Sequence, residues 1–291
     1  MRTRALAGWR VVLLLAACPL VADAQAPPAP PPSGLPAAPA AIVKVKPAFA
    51  AGETLYYEVG WNGITAAEAK VWVEKGLLEE EEIYTFRVTA RTTSFVDKLY
   101  ELRANAWSKA SADTLLPLQN RLSQTENGRR TTETILFDPE KKTAAYTREK
   151  QEDAGKAPTI QNATIPCATP GDAFALAYLL RSQSLKVGDV KSTEIVVGRH
   201  LYAFSVKVEA RERIKVKAGT FDALRLIPVY HQVGKAPDKK KVREMVLWIS
   251  DDEKHLPLKV TAEAFVGHMY GELTRVEADP APKPLATAPK P

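Results

Sequence analysis

The chain has 291 residues, 45% of them hydrophobic and 25% charged, with 40 basic and 34 acidic side chains and a net charge of +6 at pH 7. Setting aside residues 1–24 removes three Arg and one Asp and leaves +4. That balance is too mild for a nucleic-acid binder, which concentrates a basic face and adds stacking aromatics. The two cysteines, Cys18 and Cys167, exclude a disulfide framework.

Residues 1–24 read as an export signal. Arg2, Arg4 and Arg10 form a basic region, residues 11–17 (VVLLLAA) an apolar run, and Ala22-Asp23-Ala24 a small-residue cleavage site before Gln25. The apolar run is short of the roughly 20 residues that span a bilayer, so no transmembrane span is expected. A rival reading takes Leu15-Ala16-Ala17-Cys18 as a lipobox, with Cys18 lipidated and anchoring the mature chain to a membrane; Pro19 directly after Cys18 argues against it. On either reading the protein leaves the cytoplasm, with the periplasm as its expected place. Cys167 is then the lone thiol of the mature chain and is expected to be buried and inert.

Residues 25–47 (QAPPAPPPSGLPAAPAAIVKVKP) are too rich in Pro and Ala to bury a core and are predicted to form an extended, disordered linker. Residues 278–291 have the same composition and are predicted to be a disordered tail. A single all-β domain is expected over residues 48–277.

Period-two alternation dominates that span. Tyr84, Phe86, Val88 and Ala90 alternate with Thr85, Arg87, Thr89 and Arg91. The pattern returns in Tyr202, Phe204, Val206 and Val208, and again in Leu258, Val260, Ala262, Ala264 and Val266, as in half-buried antiparallel strands. Asn62-Gly63 and Asn127-Gly128 suit two-residue hairpin turns whose central positions need positive φ. Asp138-Pro139 marks a further reversal, so residues 115–148 read as a three-stranded meander, and Glu79-Glu80-Glu81-Glu82 as a solvated hairpin tip. One helix is expected, over residues 171–185 (GDAFALAYLLRSQSL), capped by Asp172 and followed by Gly188. Residues 245–258 (MVLWISDDEKHLPL) read as strand, turn and returning strand, with turn chemistry in Ser250-Asp251-Asp252 and Pro257 opening the second strand. The expected fold is all-β: a curled antiparallel sheet, spiral or barrel-like, of about a dozen strands, with the one helix buttressing its concave face.

Several of these pieces recur in order in a known family. Phe49-x-x-Gly52-Glu53-x-Leu55-x-Tyr57, Trp61-Asn62-Gly63-Ile64, Asp172 and Ala177-Tyr178-Leu179-Leu180-Arg181 are followed by Ala218-Gly219-Thr220-Phe221. Leu247-Trp248-Ile249-Ser250-Asp251-Asp252, Leu256-Pro257-Leu258, Gly267 and Gly271-Glu272-Leu273 complete the series. In this order the residues resemble the exported bacterial domain-of-unknown-function family 3108. Ala67 stands where family members often carry Gly. The resemblance implies an all-β exported domain and carries no activity with it.

Candidate sites are sparse. His200, His231, His255 and His268 have no His or Cys at ligand spacing, so no metal site and no cofactor is expected. Asp251 and Asp252 lack the spacing of a Ca²⁺ loop and read as turn formers. No G-x-S-x-G elbow and no Gly-rich phosphate loop occurs. Trp61, Trp72, Trp107 and Trp248, with Tyr178 on the helix, are the candidates for lining an apolar ligand cavity. Lys239, Lys240, Lys241 and Arg243 are the candidates for contact with lipid phosphates or an acidic glycan, although a solubilising hairpin tip explains them as well. The expected function is that of a non-catalytic envelope protein binding an amphipathic envelope ligand, lipid or glycan, or a protein partner. The alternatives are an enzyme acting on cell-wall or lipid substrates and a purely structural envelope module.

Overall fold

The structure is a computed structural model in which residues 44–153, 155–235, 245–263 and 267–278 are described. Eight strands occupy the first half: β1 (Glu53–Trp61), β2 (Ile64–Leu78), β3 (Glu81–Thr92), β4 (Leu102–Ser111), β5 (Pro117–Glu126), β6 (Arg129–Asp138), β7 (Thr143–Gln151) and β8 (Thr159–Pro166). Six follow: β9 (Val190–Val197), β10 (His200–Val216), β11 (Gly219–Gln232), β12 (Met245–Ser250), β13 (Pro257–Glu263) and β14 (His268–Ala278). Two helices interrupt them: the single turn α1 (Ser94–Asp97), which sequence reasoning did not expect, and α2 (Ala173–Arg181).

All fourteen strands lie in one antiparallel sheet in which sequence neighbours pair except β8 and β9, which are its two edges, and β1 pairs with β14. The ring therefore has one seam. Ile165 of β8 and Cys167 just after it pack with Val196 of β9 and with Ile135, Phe137 and Tyr146, so the edges meet through side chains rather than a hydrogen-bond ladder. The segment between β8 and α2 reinforces the seam: the Val196 amide donates to the Gly171 carbonyl at 2.8 Å. A Cβ on Gly171 would run into the Glu194 carbonyl oxygen, which explains glycine there.

Turn chemistry sets the registers. Asn62 and Asn127 adopt φ of 46° and Gly63 and Gly128 φ of 82°, the two-residue geometry their sequences demand. The acidic tip is shorter than expected: Glu79 and Glu80 alone turn, both with positive φ, and Glu81 already opens β3. The expected helix is also shorter. Asp172 caps it by accepting from the Ala175 amide at 2.8 Å, but it ends at Arg181, and the Ser182 hydroxyl folds back onto the Tyr178 carbonyl.

The helix fills the interior. Phe174, Ala175 and Tyr178 enter one core cluster with Leu55, Val59, Phe86, Leu258 and Leu273. Leu176 enters the other, with Ile195, Phe204, Leu224 and Val260. The tip of the β10–β11 hairpin closes over the first cluster, where the Ala218 amide donates to the Leu273 carbonyl at 3.0 Å and Lys217 pairs with Glu58. The expected curled sheet with a helix against its concave face is the observed architecture, with fourteen strands.

Candidate functional site

Two polar constellations stand out, one inside and one outside. Inside, Arg181, the last residue of α2 and 2% exposed, makes a two-pronged ion pair with Glu53 at the start of β1, at 2.6 and 2.9 Å. Its Nε donates to the Lys254 carbonyl at 3.1 Å, and the Arg181 carbonyl meets His255 Nδ1 at 2.8 Å. The guanidinium also lies over the rings of Tyr178 and Phe49. Phe49 meets Tyr178 edge-on, and Tyr178 stacks on Phe86 with centroids 3.9 Å apart. Burial works against the charged guanidinium, and the Glu53 hydrogen bonds and charge raise its affinity for the proton again. Burial also pushes the Tyr57 and Tyr178 hydroxyls well above their usual range.

At the other end of the helix Asp172 is fully buried, and it accepts from the Ser108 hydroxyl at 2.6 Å. Burial raises its pKa against the hydrogen bonds from Ser108 and the helix amides. These groups are sealed in the core. Their chemistry is that of a latch fixing each end of α2 to the sheet.

Outside, register lines up a second constellation on the face of β1–β6 turned away from the core. One row across the strands reads Tyr56, Lys70, Thr89, Asn105, Ser123. The row two residues along reads Glu68, Arg91, Arg103, Thr125, Arg130. Together they line a hollow of about 640 Å³. Its floor is the strand backbone at Ala69, Ala90 and Ala104, whose side chains turn into the core. Four cations face one carboxylate in this lining. Glu68 pairs with Arg91 at 3.0 Å, and Arg103 is held by Asp97 at 2.7 Å. That pairing, with a Thr92 hydrogen bond, depresses the Asp97 carboxyl to about 2. Lys70 and Arg130 have no ion-pair partner among the described residues. Lys70 instead lies over the rings of Trp72 and Tyr56, at 5.0 and 5.8 Å.

The next row continues the pattern as Trp72, Arg87, Trp107, Arg121. Trp72 and Trp107 thus stand two strands apart, about 10 Å at the usual strand spacing, with Arg87 between them and Glu74 bridging Arg87 and Trp72. The five aromatic candidates do not share one cavity. Trp61, at the end of β1, packs against the first core cluster. Trp248 lies on β12, donating to Glu212 with Lys259 over its ring. Tyr178 is inside the latch. Lys239, Lys240, Lys241, Arg243 and Cys18 lie outside the described residues.

The remaining candidates have structural surroundings. Asp252 accepts from Ser250 and from the Lys254 and His255 amides. Asp251 pairs with Arg211 at 2.6 Å. Cys167 is buried, and burial raises its thiol pKa. Among the described residues no three His, Cys, Asp or Glu side chains come together as metal ligands, and no helix is long and apolar enough to cross a membrane.

Sequence reasoning missed Lys70, Arg91, Arg103 and Arg130 as a group. Each reads alone as the polar half of an alternating strand, and only the pairing of five strands places them side by side.

None of the curated proteins matches the sequence. Among solved structures, a beta-barrel-like protein of domain of unknown function DUF1849 from Brucella abortus is similar at 11% identity and TM-score 0.48, over 82% of this chain and 100% of that one. A protein classed as exported, with a YmcC-like fold, from Bacteroides fragilis is similar at 8% identity and TM-score 0.35, over 81% and 99%. A protein classed as a lipoprotein from Parabacteroides distasonis is similar at 11% identity and TM-score 0.31, over the same shares. A family model matches residues 56–274, most of the sheet, and by that match the chain belongs to the family described as protein of unknown function, DUF3108.

Proposed function

We propose that this is a non-catalytic binding protein of the cell envelope. On this reading it is exported by residues 1–24, with lipidation at Cys18 as the alternative anchor, and carried on the linker of residues 25–47. Its β1–β6 hollow takes a ligand bearing phosphate or carboxylate groups. The observation that carries the reading is the lining itself: Lys70, Arg91, Arg103 and Arg130 against Glu68 alone, beside the Tyr56 ring. Guanidinium forks bind such oxyanions through paired hydrogen bonds. Trp72 and Trp107 in the next row offer apolar faces for the rest of an amphipathic ligand. The non-catalytic part is supported by the position of three buried titratable groups in the core: Asp172 caps α2, Tyr178 stacks on Phe86, and the Tyr57 hydroxyl donates to the Pro257 carbonyl.

The test is native mass spectrometry of the protein released gently from its own envelope. A retained anionic mass in the wild type that is absent from the Lys70→Glu/Arg130→Glu variant supports the reading. A bare chain in both, or a mass retained equally by both, overturns it.

A further inference from the structure

At the sheet end where the hollow lies, the connection between β3 and β4 turns two large apolar side chains outward: Phe95 is 64% exposed and Leu99 83%. They alternate with buried anchors, Val96 at 6% and Tyr100 at 5%. The loop is stiffly built. The Tyr100 and Leu99 amides both return to the Val96 carbonyl, the Thr93 amide reaches the Ala66 carbonyl on β2 at 3.0 Å, and Asp97 is held by Thr92 and Arg103. Ile64, exposed at the start of the same β2, lies at the same end.

We infer that this end of the sheet docks on an anionic lipid surface, with Phe95 and Leu99 entering the interface and the hollow receiving the phosphate of a lipid headgroup still in its bilayer. The inference deepens the reading above by choosing a lipid surface as the source of the anion.

Two observations select that partner. The apolar group is three side chains, two on the β3–β4 connection and one at the start of β2, far short of the roughly 800 Å² per partner that a stable protein interface covers, yet suited to insertion among headgroups. The cations left without an ion-pair partner among the described residues lie where an anionic surface would meet them: exposed Lys98 between the two apolar side chains, and Lys70 and Arg130 in the hollow, whereas Arg91 is paired with Glu68 and Arg103 with Asp97 and Glu101. Arg103 belongs to both features, since the ion pair with Asp97 that orients it towards the hollow also fixes the loop that presents Phe95.

The experiment uses the full chain as its host processes it, carrying an environment-sensitive NBD label at Leu99→Cys or, as the control, at Glu80→Cys in the turn at the opposite end of the sheet. Cys167, being buried, is shielded from labelling. Vesicles of phosphatidylglycerol and phosphatidylethanolamine are expected to raise the residue-99 emission several-fold and to quench it when the acyl chains are brominated, leaving the residue-80 probe unchanged. Phosphatidylcholine vesicles should give a smaller response. With the label moved to Ile64→Cys, the Phe95→Ala/Leu99→Ala change should cut the response at least tenfold, since burying each such side chain is worth about an order of magnitude in partitioning.

A residue-99 probe that responds no more than the residue-80 probe overturns the inference, whatever the hollow binds. Insertion without any retained mass in native spectrometry sinks the hollow reading and leaves docking by the tip standing. A retained mass that is a soluble phosphate or glycan, with no insertion, sinks the lipid surface alone.

Discussion

The buried pair Glu53–Arg181 gives the sharpest test of how this sheet is held on its helix. Glu53→Gln keeps shape and volume but leaves the Arg181 guanidinium, 2% exposed, without a counter-charge. Removing one member of a buried pair costs about 3–5 kcal/mol, because the survivor remains charged in a poorly solvating interior. The Lys254 carbonyl and the Tyr178 and Phe49 rings still face the guanidinium, which places the expected cost towards the lower end. For a domain of this size each kcal/mol shifts the melting temperature by about 2–4 °C, so Glu53→Gln should melt roughly 6–20 °C lower. Urea unfolding should show a reduced midpoint at unchanged slope. The companion variant Glu53→Leu/Arg181→Met removes both charges and should regain most of the loss, since two apolar side chains of similar volume suit this site as well as an ion pair does. If Glu53→Gln costs less than about 1 kcal/mol, the pair behaves as a surface salt bridge, and the view of α2 as latched through it is wrong.

Other outcomes follow from the same geometry. Burial raises the Asp172 carboxyl above its unfolded value, so the folded state binds that proton more readily than the unfolded one. This residue's contribution to stability should therefore improve as pH falls through the raised value towards the ordinary Asp range, and Asp172→Asn should erase that component in thermal melts taken across pH. Asp97 has the opposite sign: held at about 2 by Arg103 and Thr92, it supports the fold above the ordinary Asp pKa of 3.8 and should lose that support as pH falls towards 2, a loss absent from Asp97→Asn. Gly171→Ala should destabilise by about 1–3 kcal/mol, because the new methyl meets the Glu194 backbone carbonyl and forces the β8–β9 seam apart; hydrogen exchange at the Val196 amide should rise with it. In the hollow, Lys70→Glu/Arg130→Glu should leave the stability within about 1 kcal/mol of wild type, as exposed charge changes usually do, while abolishing the retained anion.

How far the sequence could be read depended on the range of each interaction. Strand alternation, the Asn-Gly turns and the Asp172 cap are local, and all reappear in the structure. The α2 end was misplaced because residues 182–185 are compatible with helix by propensity, and the chain leaves it only where the Ser182 hydroxyl folds back onto the Tyr178 carbonyl and also takes the Ala48 amide. The seam at β8 and β9, the β1–β14 pairing and the hollow are non-local. Arg91 and Arg130 are 39 positions apart in the chain yet line one cavity, and no periodicity within a strand encodes that. The aromatic set was chosen by residue type, and type does not tell Trp72 on the outer face from Trp61 against the core.

That difference in range also bears on where ligand recognition resides. The residues that carry the family resemblance converge on the helix and its supports. Phe49 and Tyr178 pack edge-on, Glu53 meets Arg181, Tyr57 donates to the Pro257 carbonyl, and Ser250 with Asp252 shapes the turn whose Lys254 and His255 close over Arg181. Asn62 ties the β1–β2 turn to the amide of His268. None of these residues lines the hollow. A scaffold whose shared positions are spent on filling and latching its interior leaves the outer face free to vary, because exchanging an exposed charge there costs the fold little. If the hollow binds an anion as proposed, that recognition is a property of the register that brings β1–β6 together, and α2, packed against β4 on the inner side, would act on it at one remove. Glu53→Gln supplies the check: loosening α2 should weaken anion retention at temperatures where the sheet is still folded, whereas Lys70→Glu/Arg130→Glu should remove retention and leave the latch intact.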